Sequence, residues 1–188
     1  MVTKMPAFPI LTLQNSPEDS KPMLEQTQQA FNFIPNLIGV MASSPAITEA
    51  YLSIANIFSK SGLSATEQQI VLLTVSHFND CRYCMAAHTA ISSMQDIEME
   101  VVQAIRDDIP IIDPKLQALR QFTRLIVENK GWLADADVQT FLEAGYEQSH
   151  ILDILVGVAQ KTLSNYTNHL AKTPLDEPFS AVAWEPEN

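Results

Sequence analysis

Apolar residues recur along the chain at intervals of three and four, the spacing that places them on one face of an α-helix. No run of β-branched residues alternates strictly with polar ones, as the residues of a half-buried strand would. Only five glycines occur in 188 residues, so few positions interrupt this pattern. The sequence therefore predicts an all-α fold.

Several segments carry signals for the start of a helix. A Ser or Asp followed by Pro fits an N-cap with proline at the first helical position. Three such pairs, Ser16-Pro17, Ser44-Pro45 and Asp113-Pro114, predict helices over about 17–33, 45–60 and 114–129. The capping-box spacing of Ser64 and Glu67 predicts a helix over about 65–78. Periodicity predicts further helices over about 81–93, 96–106, 135–144 and 147–171.

The chain is expected to form one helical domain over residues 1–172, followed by an irregular arm over 173–188 that contains three prolines. A shift of 81 residues pairs Ile70 with Ile151 and His88 with His169, which suggests a decayed internal helical duplication. Any two amphipathic helices align comparably well, so the alternative of no duplication stays open.

Composition narrows the class of protein. The 46% hydrophobic and 18% charged content is that of a globular domain. With 11 Lys and Arg against 22 Asp and Glu, the net charge of −11 disfavours binding to nucleic acid or to an anionic membrane. No apolar run approaches the ~20 residues of a membrane span, and the N-terminal segment has no continuous apolar region of a secretory signal. A cytoplasmic location is expected.

The two cysteines, Cys81 and Cys84, lie three residues apart, and His88 follows Cys84 by four. On a helix these residues share a face, and the cysteines are close enough for a disulfide. If Asn79 or Asp80 caps this helix, the free amides of its first turn favour a thiolate. Cys84 is then the candidate nucleophile with His88 as its base, and Cys81 resolves the oxidised Cys84 as a disulfide.

Two other interpretations of this segment compete with redox chemistry. His77, Cys81, Cys84 and His88 form a Cys2His2 set, but on a continuous helix the two histidines are ~16 Å apart, too far to share one ion. A break at Asn79-Asp80 would relax this objection, although a single Cys-x2-Cys is a weak zinc signal. Alternatively, both cysteines are inert core residues. We expect a redox pair, with no metal and no cofactor.

The segments Leu63–Ser76 and Asn79–Thr89 resemble the signature of the carboxymuconolactone decarboxylase superfamily, in its AhpD-like alkylhydroperoxidase branch. That signature is an acidic residue, a hydrophobic helix and then Cys-x2-Cys-x3-His. The resemblance implies an AhpD-like helical fold that assembles into dimers, trimers or hexamers, and a peroxidase that uses an external thiol or dithiol reductant. It matches Cys81 and Cys84 to the redox pair and His88 to the proton-relay histidine, and it adds no cofactor.

The chain departs from the family pattern at the relay acid. The position of the family glutamate, twelve residues before the first cysteine, is Gln69, whereas the available acid is Glu67. Two positions on a helix turn a side chain by ~200°, so Glu67 and Gln69 point in different directions. Glu67 is also the expected capping-box partner of Ser64. Both Gln69 and Glu67 are therefore candidate residues of the catalytic site.

These features favour a thiol-dependent peroxidase. One alternative is a carboxymuconolactone-type decarboxylase, a branch that typically lacks the cysteine pair, and another is a non-catalytic module for redox sensing or assembly. Exposed apolar helix faces, and an arm carrying Phe179 and Trp184, are expected to pack on a neighbouring subunit. The expected partners are a peroxide, a thiol reductant and further copies of the chain.

Overall fold

The structure is a computed structural model that describes residues 8–186. Over that range it contains helices and no strands, which confirms the all-α prediction. The α-helices are α1 (Lys21–Phe31), α2 (Asn36–Met41), α3 (Pro45–Phe58), α4 (Ala65–Phe78), α5 (Arg82–Met94), α6 (Met99–Arg106), α7 (Pro114–Glu128), α8 (Asp135–Glu143) and α9 (Gln148–Ala171). Two 3₁₀ turns cover Glu18–Ser20 and Glu177–Val182. No helix of the described residues is long and apolar enough to cross a membrane.

Helix starts that rest on a side-chain cap are predicted well. Ser64 Oγ accepts a hydrogen bond from Glu67 N, and Glu67 Oε2 accepts one from Ser64 N at 2.8 Å. This capping box fixes the start of α4 at Ala65, as predicted. Asp113 Oδ1 accepts from the amides of Lys115 and Leu116 and in the same way fixes the start of α7.

The prediction of one helix over 17–33 is wrong at both ends. The segment begins with the 3₁₀ turn Glu18–Ser20, and α1 ends where Asn32 adopts a left-handed backbone with φ 63°. The six-residue helix α2 was not predicted, because it is too short to show periodicity. The internal duplication stays a prediction. Helix α9 runs without a break through the positions aligned with the α4–α5 junction, so the two halves of the chain differ there.

Helix α4 lies at the centre of the fold, in contact with α5, α6, α7 and α9. Every residue from Gln69 to Ser76 is buried, as expected for a helix covered on all sides. Helix α9 also packs on α3, and the three helices meet at Gly157. A Cβ atom at Gly157 would lie 2.7 Å from Val71 Cγ1 and 2.9 Å from Phe58 Cζ. The absence of a side chain here lets α9 approach α3 and α4 closely.

The C-terminal arm packs on its own chain. Phe179 and Trp184 are both buried, Phe179 with its ring 6.3 Å from that of Tyr83. The Tyr83 hydroxyl donates to Asp176, and the Asp176 carboxylate accepts from Asn36 N at 3.0 Å at the start of α2. The expectation that these two aromatic residues pack on a neighbouring subunit is therefore wrong. The arm instead covers α5, the helix that begins at the cysteine pair.

Candidate functional site

The cysteine pair lies at the junction between α4 and α5. Asp80 adopts a left-handed backbone with φ 51°, and Cys81 N donates to Ser76 O at 2.9 Å. The N-cap of α5 is consequently Cys81, which corrects the expected cap at Asn79 or Asp80. Cys84 becomes the third residue of the helix, in the first turn as expected. Amides of that turn have no helical acceptor, so they favour negative charge.

Both cysteines are free thiols and both are buried. Two residues of α9 lie against them: Asn168 Nδ2 is 3.3 Å from Cys84 Sγ and 3.8 Å from Cys81 Sγ, and Ser164 Oγ is 3.7 Å from Cys84 Sγ. The amide of Asn168 can therefore donate to either sulfur. These contacts surround the pair with groups that can stabilise a thiolate.

The buried imidazole of His88 is held from both sides. Its Nδ1 lies 2.9 Å from Gln69 Oε1, and its Nε2 lies 2.9 Å from Lys161 Nζ. Gln69 Nε2 in turn donates to Gln95 Oε1 at 3.2 Å. An ammonium can only donate, so Nε2 accepts from Lys161 and Nδ1 carries the proton that is donated to Gln69. The direct approach of His88 to Cys84 expected from the sequence is not found, because both ring nitrogens already have partners.

Lys161 is the residue of the site that the sequence analysis missed. It comes from the middle of α9 and is fully buried. It lies on a polar face of α9 whose buried members recur at helical spacing: Gln160, Lys161, Ser164, Asn165 and Asn168. That stripe, inside a helix of otherwise apolar pattern, is the signal that could have identified it. Burial lowers the pKa of Lys161, but the neighbouring Cys84, Tyr51 and Cys81 together outweigh it, so the net shift is upward.

The surroundings shift the pKa values of the two thiols in opposite directions. Burial opposes ionisation of Cys84, yet the hydrogen bond from Cys81 and the charge of Lys161 bring the pKa of Cys84 well below that of an ordinary thiol. The same hydrogen bond, together with burial, raises the pKa of Cys81. Burial and the neighbouring Lys161 charge lower the pKa of His88, so its imidazole is neutral. These shifts favour Cys84 as the thiolate and Cys81 as the thiol that donates to it.

The structure assigns different places to Gln69 and Glu67. Gln69 faces His88, whereas Glu67 lies in the capping box and pairs with Lys115 Nζ at 3.5 Å. As the helical rotation between them predicts, the two side chains point to different surroundings. Glu67 makes no contact with the cysteine site.

His77 also lies apart from the cysteines. It is half-buried at the end of α4, with its ring 5.2 Å from that of Trp184. Among residues 8–186, no group of three or more His, Cys, Asp or Glu side chains is placed to hold a metal ion.

A cavity of about 180 Å³ opens beside Cys84, His88 and Lys161. Its walls come from α1, α2, α3, α5, α9 and the C-terminal arm. Apart from those three residues and Gln160, the lining is mostly apolar and aromatic, and includes Phe31, Ile38, Tyr51, Leu52, Ile91 and Phe179. A small molecule in this cavity would contact the Cys84 sulfur.

The pKa shifts predict unequal alkylation of the two cysteines. With iodoacetamide, Cys84 should react near its maximal rate at pH 7 and slow only as acid protonates it, because its pKa is low. Cys81 should stay unmodified in the folded protein, because its pKa is raised. Trypsin cleaves after Arg82, so mass spectrometry reports each cysteine on its own peptide. Preferential labelling of Cys81 would contradict the assignment, and denatured protein labelled at both sites is the control.

Comparison with known proteins connects this site to a family. Residues 45–125 match the model of the carboxymuconolactone decarboxylase family. A search of curated protein sequences finds no match.

The fold is shared with solved structures. The AhpD-core, peroxidase-related protein from Ralstonia eutropha JMP134 superposes with a TM-score of 0.81 at 23% identity, covering 92% of this chain and 93% of that one. A peroxidase-related protein from Silicibacter sp. TM1040 gives 0.79 at 18% identity over 95% and 96% of the two chains. The debrominase Bmp8, in complex with 2,3,4-tribromopyrrole, gives 0.77 at 14% identity over 96% of each chain. The chain therefore shares the AhpD-like fold of these structures, and its residues 45–125 match the model of the carboxymuconolactone decarboxylase family.

Proposed function

We propose that the protein is a thiol-dependent peroxidase in which Cys84 is the nucleophile. The observation that carries the proposal is the contrast between the two sulfurs. Cys84 lies at the wall of a cavity beside Lys161, in surroundings that lower its pKa, and Cys81 lies next to it in surroundings that raise its own pKa. A thiolate attacks peroxide oxygen, and a neighbouring thiol is what converts the product to a disulfide.

The proposed reaction has three steps: oxidation of Cys84, formation of the disulfide and its reduction. The Cys84 thiolate attacks the terminal oxygen of the hydroperoxide ROOH, which breaks the O–O bond and gives a Cys84 sulfenic acid and RO⁻; a proton converts RO⁻ to the alcohol. The Cys81 thiol then condenses with the sulfenic acid to form the disulfide and release water. An external dithiol reduces the disulfide by thiol exchange and is itself oxidised. No metal or cofactor takes part in this scheme.

His88 and Gln69 act in this scheme as positioning residues. His88 is neutral and receives a hydrogen bond from Lys161, so it orients the ammonium beside Cys84. Gln69 accepts from His88 Nδ1 and thereby fixes the tautomer. A glutamine amide cannot take up a proton at ordinary pH, so residue 69 does not act as an acid or a base. Glu67 stabilises the start of α4 and has no part in the chemistry.

The cavity favours an organic hydroperoxide over hydrogen peroxide. At the ~30 Å³ that one water occupies in the liquid, a cavity of about 180 Å³ has room for about six waters, far more than hydrogen peroxide needs. Its apolar walls would leave most of that space without polar partners for water. A hydrocarbon group of the size of cumyl or tert-butyl fills it and gains the free energy of apolar burial.

The first test of the proposal is the loss of both thiols together. One equivalent of cumene hydroperoxide should remove two thiols, because the Cys84 sulfenic acid condenses with Cys81. Cys84→Ser should not react, and Cys81→Ser should react once and stop at a sulfenic acid or a mixed disulfide. Thiol titration and peptide mass spectrometry measure these states. Stable sulfinic acid on Cys84 beside an untouched Cys81 thiol would rule out the resolving role.

The same assays separate the other interpretations. Turnover of a muconolactone that survives alkylation of both cysteines would favour a decarboxylase. Oxidation of the pair without turnover in the presence of a dithiol would favour a redox-sensing module.

Filling the cavity should change substrate preference. Ala55→Phe places a ring in the cavity from α3, and kcat/KM for cumene hydroperoxide should fall by ~10-fold or more while that for hydrogen peroxide changes little. Ala50→Phe, on an exposed position of the same helix, is the matched control and should leave both values unchanged. Equal losses for the two peroxides with Ala55→Phe would show that the substrate does not occupy this cavity.

We also propose that the chain forms a homo-oligomer, a dimer, trimer or hexamer. The support is a row of exposed apolar side chains along α9: Leu152, Leu155, Tyr166 and Leu170. Their spacing places them on one side of the helix, opposite the face that lines the site. A second copy of the chain would cover this row.

Sedimentation should show a particle heavier than the 20.9 kDa chain at micromolar concentration. The double substitution Leu155→Glu with Tyr166→Glu should reduce its mass. Ile112→Glu, at a fully exposed position away from α9, is the control and should leave the mass unchanged. A wild-type monomer would refute the proposal.

A further inference from the structure

Lys161 is placed where an ammonium is hard to accommodate. It is fully buried, and none of the ion pairs in the described part of the chain involves it. Its hydrogen-bond partner, His88 Nε2, is neutral and gives no compensating charge. A buried charge without a counter-ion is strongly unfavourable, so the adjacent Cys84 thiolate must supply the negative charge.

We propose that Lys161 is the acid of the reaction: it holds Cys84 as a thiolate and then donates its proton to the oxygen that Cys84 displaces. The inference rests on the proposed peroxidase function. The supporting geometry is the shared cavity wall, where Lys161, Cys84 and His88 all face the space that the hydroperoxide would fill.

The proton transfer is coupled to the loss of the thiolate. While Cys84 is negative, its charge keeps Lys161 protonated. Attack on ROOH consumes that charge, since sulfur becomes a neutral sulfenic acid and RO⁻ leaves. Lys161 is then a buried ammonium without a counter-ion, a situation in which lysine pKa values fall to ~5–6. Transfer of its proton to RO⁻ gives the alcohol and a neutral amine, and no buried charge remains.

His88 keeps the lysine in place through this change. Its Nε2 accepts a hydrogen bond from the ammonium, and it can accept one equally from the neutral amine, which still has two N–H groups. Because Nδ1 donates to Gln69, the ring cannot rotate without losing a buried hydrogen bond. The ammonium group of Lys161 therefore stays at the wall of the cavity that Cys84 also lines.

Two reagents separate the acid role from the charge role. Iodoacetamide reacts with the Cys84 thiolate and releases iodide, which needs no proton, whereas cumene hydroperoxide releases an alkoxide, which does. Stopped-flow rate constants for both reagents are measured across pH for wild type, Lys161→Arg, Lys161→Met and, as a control, the exposed Lys60→Met. Circular dichroism confirms that each variant is folded.

Lys161→Arg keeps a permanent positive charge that does not give up its proton. We expect alkylation close to the wild-type rate but reaction with the hydroperoxide reduced by ~10²-fold or more. Lys161→Met should slow both reactions at neutral pH because the thiolate is lost. Raising the pH should restore its alkylation and not its peroxide reaction, so this variant carries the test if arginine does not fit. Lys60→Met should match wild type.

Proton stoichiometry gives a readout independent of rate. On oxidation at pH 8 in weak buffer with an indicator, wild type should take up no proton, because Lys161 supplies it. Lys161→Arg should take up one proton from solvent per hydroperoxide reduced. Equal uptake by both proteins, or peroxide rates that follow the alkylation rates across all variants, would overturn the acid role. Failure of wild type to react with any hydroperoxide would instead refute the proposed function.

Discussion

In the proposed mechanism, the attraction between the buried Lys161 ammonium and the buried Cys84 thiolate is the constraint on which the rest of the site depends. Lys161 and Cys84 are 77 positions apart along the chain, and each charge would be unfavourable in the interior without the other. The pairing accounts for the polar face of α9 inside an otherwise apolar bundle. Burial lowers the pKa of His88, and the positive charge of Lys161 lowers it further, so His88 stays neutral beside the pair.

Hydrogen bonds around this pair run in one direction. Lys161 donates to His88, His88 donates to Gln69, and Gln69 donates to Gln95. A glutamine at position 69 suits a neutral imidazole, because its carbonyl accepts from Nδ1–H and its amide satisfies a further acceptor. A glutamate there would add a negative charge that this arrangement does not need. The departure from the family pattern at Gln69 is therefore consistent with a lysine as the source of the proton.

Local signals in the sequence predicted local structure well. The capping box of Ser64 and Glu67 fixed the start of α4, and the rotation between Glu67 and Gln69 was predicted from helix geometry alone. Spacing also predicted the shared helix of Cys84 and His88. The polar stripe of α9 could have marked Lys161 as a buried residue, but its contact with His88 spans 73 residues of sequence, and no motif predicts a contact at that separation. The cap at Cys81 was missed because the left-handed turn at Asp80 depends on how α5 packs back on α4.

Gly157, where α9 approaches α3 and α4 closely, influences the reaction although it has no side chain that could contact the substrate. Lys161 follows it by four residues, on the same face of α9, so the depth of the helix at Gly157 sets how far the ammonium reaches toward Cys84 and His88. A methyl group at this position would push against Val71 and Phe58, which are both buried and cannot move aside freely. In a mutational scan that scores activity, Gly157 would be grouped with the residues of the active site. A substitution there would lower activity because it moves α9, and with it Lys161.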